Sequence, residues 1–222
     1  MPRPRTHDPN RLLDTAEKIA VESGAAAVTV RALSEATSIS NGAIYHAFGS
    51  RAGLMGQVWL RAAQRFLELQ RNAVEAAFAA GPAPQNAIEA VVAAADTPAE
   101  YSIRHPISGR FLLTVRRTEI LGSGDVPTEV AARLRNLDQD LATLFVRLSR
   151  GVWNRADPES IAVIRDCVVE LPAALLLRGW RTPEPAVRAR LAAAVRAVLT
   201  LPPPEPTRPG DPAARPNRKV QP

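Results

Sequence analysis

At 222 residues and 46% hydrophobic, the chain can bury one sizeable core, or a small and a medium one. No apolar run approaches the roughly 18 residues of a membrane span, and the basic opening Met1–Asp8 lacks the apolar stretch of a secretory signal, so the cytoplasm is the expected compartment. The net charge of +6 favours an anionic partner, but acidic residues nearly balance the basic ones in residues 1–60, so bulk charge alone does not locate where such a partner binds.

Helix punctuation recurs throughout, and strand signals are almost absent. Asp8-Pro9, Thr97-Pro98, Asp157-Pro158 and Thr182-Pro183 each set a capping oxygen before a proline that suits the first helical turn. Thr97 with Glu100 reads as a capping box. The predicted fold is all-α. The first helix runs from about Pro9 to Ser23, with Leu12, Ala16, Ile19 and Ala20 on one face, and Gly24 stops it. Thr29 caps a short second helix that turns Val30, Leu33 and Ala36 inward. The polar turn Thr37–Ser40 leads to a third helix, Asn41–Ala47, held to a small core by Ile44, Phe48 and Ile39. Ser50 caps a long fourth helix, Arg51 to about Ala79.

Further helices are predicted over about 84–95, 98–104, 107–121, 127–153, 158–179 and 183–200, with Pro172 kinking the penultimate one. Residues 201–222 contain eight prolines and few apolar residues, and read as a disordered tail. The expected organisation is an N-terminal three-helix unit at 1–56 with an arm at 1–8, a second helical domain at 57–200, and the tail.

Two short helices joined by a tight turn behind a longer one form the unit that places a recognition helix in a major groove. With Ile44 and Phe48 turned inward, Asn41, Gly42, Ala43, Tyr45 and His46 lie on or near the free face. The Asn41 amide suits a base edge or a phosphate, and Gly42 and Ala43 allow close approach to the groove. Tyr45 and His46 offer polar tips at phosphate height. Thr29 and Arg31 at the second helix's start, and Ser50 and Arg51 at the fourth's, supply donors. On spacing alone, Tyr45 reads equally as a half-buried packing residue. Arg3 and Arg5 form either a frayed terminus or an arm that reaches a minor groove.

The segment Thr29-Val-Arg-Ala-Leu-Ser-Glu-Ala-Thr-Ser-Ile-Ser-Asn-Gly-Ala-Ile-Tyr-His-Ala-Phe-Gly-Ser-Arg-Ala-Gly-Leu54 resembles the DNA-binding signature of the TetR family of transcriptional regulators. The resemblance covers about residues 10–56. It implies base or backbone approach by Asn41, Ala43 and His46, and phosphate contacts by Thr29, Ser40, Tyr45 and Arg51. Three positions depart from the family's pattern. Thr37-Ser38 replaces Ala-Gly in the turn, which predicts a strained dihedral there; Ala47 replaces a histidine; Ala25 replaces an aromatic.

The resemblance also implies a homodimer on a palindromic operator, paired through the last two long helices. Ile164, Val168, Leu171 and Leu175 on one, and Leu191, Val195 and Val198 on the other, are the expected interface, although half of them fit a monomer core equally well. A small-molecule effector pocket is implied among the middle helices, with Tyr101, His105, Phe111, Phe145 and Trp153 as candidates beside Trp180, and core packing as the competing role of each aromatic. The expected function is a repressor released by its effector; the alternative is a regulator without an effector that acts through protein partners. An enzyme is not expected. Three histidines and the single Cys167, read as a buried filler, give no metal-ligand spacing. Asp138 and Asp140, two apart on a helix, point to different sides and make a poor acid–base pair. No cofactor or metal is expected.

Overall fold

The computed structural model describes residues 9–81, 84–122, 125–177 and 183–206. These form α1 (Pro9–Ser23), α2 (Val30–Thr37), α3 (Asn41–Phe48), α4 (Arg51–Ala79), α5 (Gln85–Arg104), α6 (Pro106–Thr114), α7 (Arg117–Gly122), α8 (Thr128–Trp153), α9 (Pro158–Arg165), α10 (Leu171–Leu175) and α11 (Pro185–Leu199). A 3-10 turn, Ala25–Ala27, joins α1 to α2, and a π-helical turn, Asp166–Glu170, joins α9 to α10. The described residues contain no strand, as the capping pattern predicts.

Two apolar clusters fill the interior. The first gathers Leu12 and Ala16 of α1, Leu33 of α2, Ile44 and Phe48 of α3 and the first half of α4, and continues into Phe111 of α6, Ile120 of α7 and Leu134 of α8. The three N-terminal helices therefore share one core with the start of the helical body. The second cluster joins the far half of α4 and α8 to α5, α9 and α11. Thus α4 and α8 both run through the two clusters.

The Thr97-Pro98 helix start is corrected. α5 runs unbroken from Gln85 to Arg104 with Pro98 inside it. Thr97 caps nothing; its hydroxyl donates back to the Ala93 carbonyl at 2.9 Å. Proline removes the N–H that the Ala94 carbonyl, four residues back, would accept. Gln70 of α4, 1% exposed, reaches across and donates Nε2 to that carbonyl at 3.0 Å. A partner from another helix thus satisfies the acceptor that proline orphaned.

Three further expectations change. The helix expected over 107–121 divides, because Val115 turns to extended backbone while Trp59 Nε1 donates to its carbonyl at 2.9 Å. The helix expected over 158–179 is interrupted ahead of Pro172 by the π turn, in which the Leu171 N–H reaches the Asp166 carbonyl. The last helix begins at Pro185, not Pro183. Of the tail, residues 201–206 are described, and they are held: Arg155 donates to the carbonyls of Pro203 and Pro204 at 3.2 and 2.8 Å, and Pro203 is buried. Residues 1–8, Trp180, Thr182 and residues 207–222 lie outside the described residues.

Candidate nucleic-acid interface

Caps and a short turn define the recognition unit. The Thr29 hydroxyl accepts from the Ala32 N–H at 3.0 Å at the start of α2, and Ser40 accepts from Ala43 at 3.3 Å at the start of α3. Each cap uses a lone pair and leaves the hydroxyl proton available to a phosphate. Ser38, in the turn between them, is left-handed at φ 59°, the strain that the absent glycine implies. Gly49 ends α3 at φ 72°, where a side chain is disfavoured.

Ile44 and Phe48 are 1% and 4% exposed and fix the back of α3 against Leu33 and Ile39. The opposite side stands in solvent. Asn41, Gly42 and His46 are exposed, Ala43 is half-buried, and Tyr45 is 54% exposed. Tyr45 is therefore not a packing residue. Asn41, Gly42, Tyr45 and His46, with the capping hydroxyls of Thr29 and Ser40, form one accessible side of the helix pair. Arg31 belongs at its edge. Its guanidinium meets Glu35 one turn on at 2.9 Å, and an exposed pair of this kind exchanges readily for a phosphate.

Ser50 and Arg51, the donors expected at the start of α4, are hydrogen-bonded within the fold. The Ser50 hydroxyl accepts from the Gly53 N–H at 2.9 Å and donates its proton to the Asp125 carbonyl at 2.6 Å. Arg51 donates Nε to the Val28 carbonyl at 2.6 Å and a terminal N–H to that of Ala25. Ser50 thus ties α4 to the approach to α8, and Arg51 braces the 3-10 turn against α4. At Gly53 an added Cβ would fall 2.2 Å from the Phe48 carbonyl oxygen and 2.9 Å from Pro127. Glycine is what allows α4 to lie this close to the end of α3.

A polar network behind the unit has no counterpart in the sequence reading. Glu17, 3% exposed, accepts from Arg61 at 3.1 Å and from Ser108 at 2.7 Å. Arg61 also pairs with Asp14 at 2.7 Å and donates to the Asn10 carbonyl. The available signal is a glutamate four residues after Leu13 on the apolar face of α1, where a carboxylate requires a partner.

The candidate pocket residues do not converge on one site. Tyr101 lines an apolar cavity of about 210 Å³ with Phe66, Pro98, Gly109, Leu112 and Leu177. Its hydroxyl donates to the Ala62 carbonyl at 2.8 Å, and burial pushes its ionisation up to about 12. His105 is exposed, with its ring 5.1 Å from that of Tyr101. Phe111 belongs to the first core cluster and Phe145 to the second, against which Trp153 packs.

The expected dimer residues divide in a similar way. Ile164, Val168, Leu191 and Val195 are 3% exposed or less and fill the second cluster, the monomer-core role that half of the expected interface residues fitted equally well. Leu171 and Val198 are half-buried, and Leu175 is 42% exposed. Cys167 is fully buried, as its spacing predicts. No helix is long and apolar enough to cross a membrane, and no metal-holding cluster of His, Cys, Asp and Glu occurs among the described residues.

An all-helical chain that pins a short third helix by its back and turns its small and polar side outward is a helix-turn-helix DNA-binding protein. Residues 12–58 match the family of bacterial regulatory proteins, tetR family, so the chain carries the DNA-binding domain of TetR-family transcriptional regulators. Among solved structures, it is similar to the TetR-family regulator PfmR of Thermus thermophilus, at 19% identity and a TM-score of 0.62 over 86% of this chain and 97% of that one. A tetR-family regulatory protein of Rhodococcus RHA1 aligns at 19% identity and a TM-score of 0.61, over 86% and 95%. The ketosteroid transcriptional regulator KstR2 of Mycobacterium tuberculosis aligns at 17% identity and a TM-score of 0.55, over 86% and 93%. These likenesses establish the fold. No curated protein matches the chain in sequence.

Proposed function

We propose that the chain binds a palindromic operator as a homodimer and represses transcription until a small-molecule effector releases it. The observation that carries the DNA reading is the division of α3 into a buried side, Ile44 and Phe48, and an accessible side, Asn41, Gly42, Tyr45 and His46. Asn41 and Ala43 meet base edges in the major groove; Thr29, Arg31, Ser40, Tyr45 and His46 hold phosphates. One such helix gives too little contact for tight specific binding, and a two-fold pair doubles it.

The dimer face is the outer side of α10 and α11. Ala173, Ala174 and Leu175, with Ala189, Ala193 and Ala197, are exposed or half-buried there, and small side chains let helices of two copies approach closely. Residues 1–56 act as the DNA-binding domain and 57–200 as the regulatory and dimerisation domain, with the apolar cavities between α4, α5, α6 and α8 supporting an effector role. The function is binding, with no catalytic step.

Selection of bound sequences from random duplex DNA tests this reading. The expected product is an inverted repeat with half-sites about one helical turn, or a multiple of it, apart. Recovery of no preferred sequence, or of a single unrepeated half-site, contradicts it.

A further inference from the structure

A second cavity, of about 260 Å³, lies between α4, α6, α7 and α8. Trp59, Ala63, Phe66, Leu67, Leu112 and Leu141 form most of its wall, and Arg117 and Asp138 are the charged residues on its lining. Arg117 is anchored before any ligand arrives. It donates Nη1 to the Leu134 carbonyl at 3.0 Å, and its guanidinium carbon lies 5.8 Å from the centroid of the Trp59 ring. Trp59 is itself fixed through Nε1 to the Val115 carbonyl. Asp138, which Arg117 meets at 2.8 Å, is the loose partner: its side chain is 66% exposed, against 25% for the arginine.

We infer that this cavity binds an apolar monocarboxylic acid, with its carboxylate taking Asp138's place on Arg117 and its body in the apolar chamber. The inference rests on the effector-gated reading and names the effector's chemical class. A planar guanidinium held by a carbonyl and an aromatic face is built for bidentate pairing with a carboxylate. Replacing a solvent-exposed aspartate by a carboxylate whose tail buries apolar surface adds hydrophobic stabilisation without losing the ion pair. An amine would have only Asp138 to meet and would face the fixed arginine. A neutral molecule would leave the guanidinium pair unused.

Size narrows the class. An engineered cavity of about 150 Å³ accepts benzene, so a chamber of about 260 Å³ suits a ring with a short chain or an aliphatic chain of roughly eight carbons. Phe66 and Leu112 also line the 210 Å³ cavity beside Tyr101, so they form a shared partition toward which the acid's tail points.

The test measures binding of octanoate, octanol and octylamine to the intact protein by calorimetry and thermal shift, without DNA. Octanoate should bind and raise the melting temperature, with octanol and octylamine at least about tenfold weaker, the ratio of one charge-assisted hydrogen bond. Arg117→Met should remove that preference, and Asp138→Asn, a change on the exposed surface of α8, should tighten octanoate by removing its competitor. Equal binding of octanoate and octanol, preference for octylamine, no binding of octanoate, or weaker octanoate binding in Asp138→Asn each overturns the assignment. Operator release is scored separately: octanoate that binds as described but leaves the protein on DNA sinks the effector reading and leaves the acid site standing.

Discussion

Glu17 Oε2 accepts a hydrogen bond from Ser108 Oγ at 2.7 Å, joining α1 of the recognition unit to α6 of the helical body. The other carboxylate oxygen takes Arg61 of α4. One buried carboxylate therefore holds three helices in register, and the recognition unit is positioned by the body as well as by its own core.

Ser108→Ala removes a donor from a buried carboxylate and leaves its oxygen unmatched. The expected cost is about 1–3 kcal/mol, read as a lower urea midpoint with an unchanged m-value. A variant as stable as the parent would show that the carboxylate finds another partner and that the α1–α6 link is dispensable.

Ser38 occupies a left-handed turn at φ 59°, which costs a residue with a Cβ about 1–2 kcal/mol, partly offset by the entropy that glycine loses on folding. Ser38→Gly should therefore stabilise the protein by roughly 0.5 kcal/mol, with DNA binding unaltered. Destabilisation on thermal melting contradicts the strain assigned to this turn.

Cys167 is fully buried, and burial pushes its thiol up to about 12. A thiol reagent at pH 8 should label the folded protein only as fast as it opens; rapid labelling would place the side chain at the surface. The folded state favours the protonated thiol, so this contribution is whole below the unfolded value of about 8.5 and is lost as pH rises through about 12. Tyr101, raised to about 12 by burial, adds a loss from about pH 10 upward.

The third helix is legible in the sequence because its logic is local. Ser40, Ile44, Phe48 and Gly49 cap, pin and stop it within ten residues, and Thr29 and Ser50 cap its neighbours. Pro98 misleads because the residue that rescues it, Gln70, lies 24 positions from the carbonyl it serves. Local chemistry announces a helix start, and a tertiary hydrogen bond overrides it. The same limit applies to Ser50, whose hydroxyl proton goes to the Asp125 carbonyl, and to Arg51, two of whose N–H groups go to the Val28 and Ala25 carbonyls. It applies as well to Ile164, Val168, Leu191 and Val195, since an apolar helix face looks alike in a sequence whether α5 and α8 or a second copy covers it.

On the proposed function, the exposed side of α3 reads duplex DNA. The most direct test of this is the affinity of Tyr45→Ala for the selected operator at matched salt, by fluorescence anisotropy, beside its thermal melt. Tyr45 is 54% exposed, so the melt should be unchanged, while loss of a phosphate contact weakens binding by roughly 1–3 kcal/mol. Unchanged affinity in a folded variant would take the exposed side of α3 off the DNA.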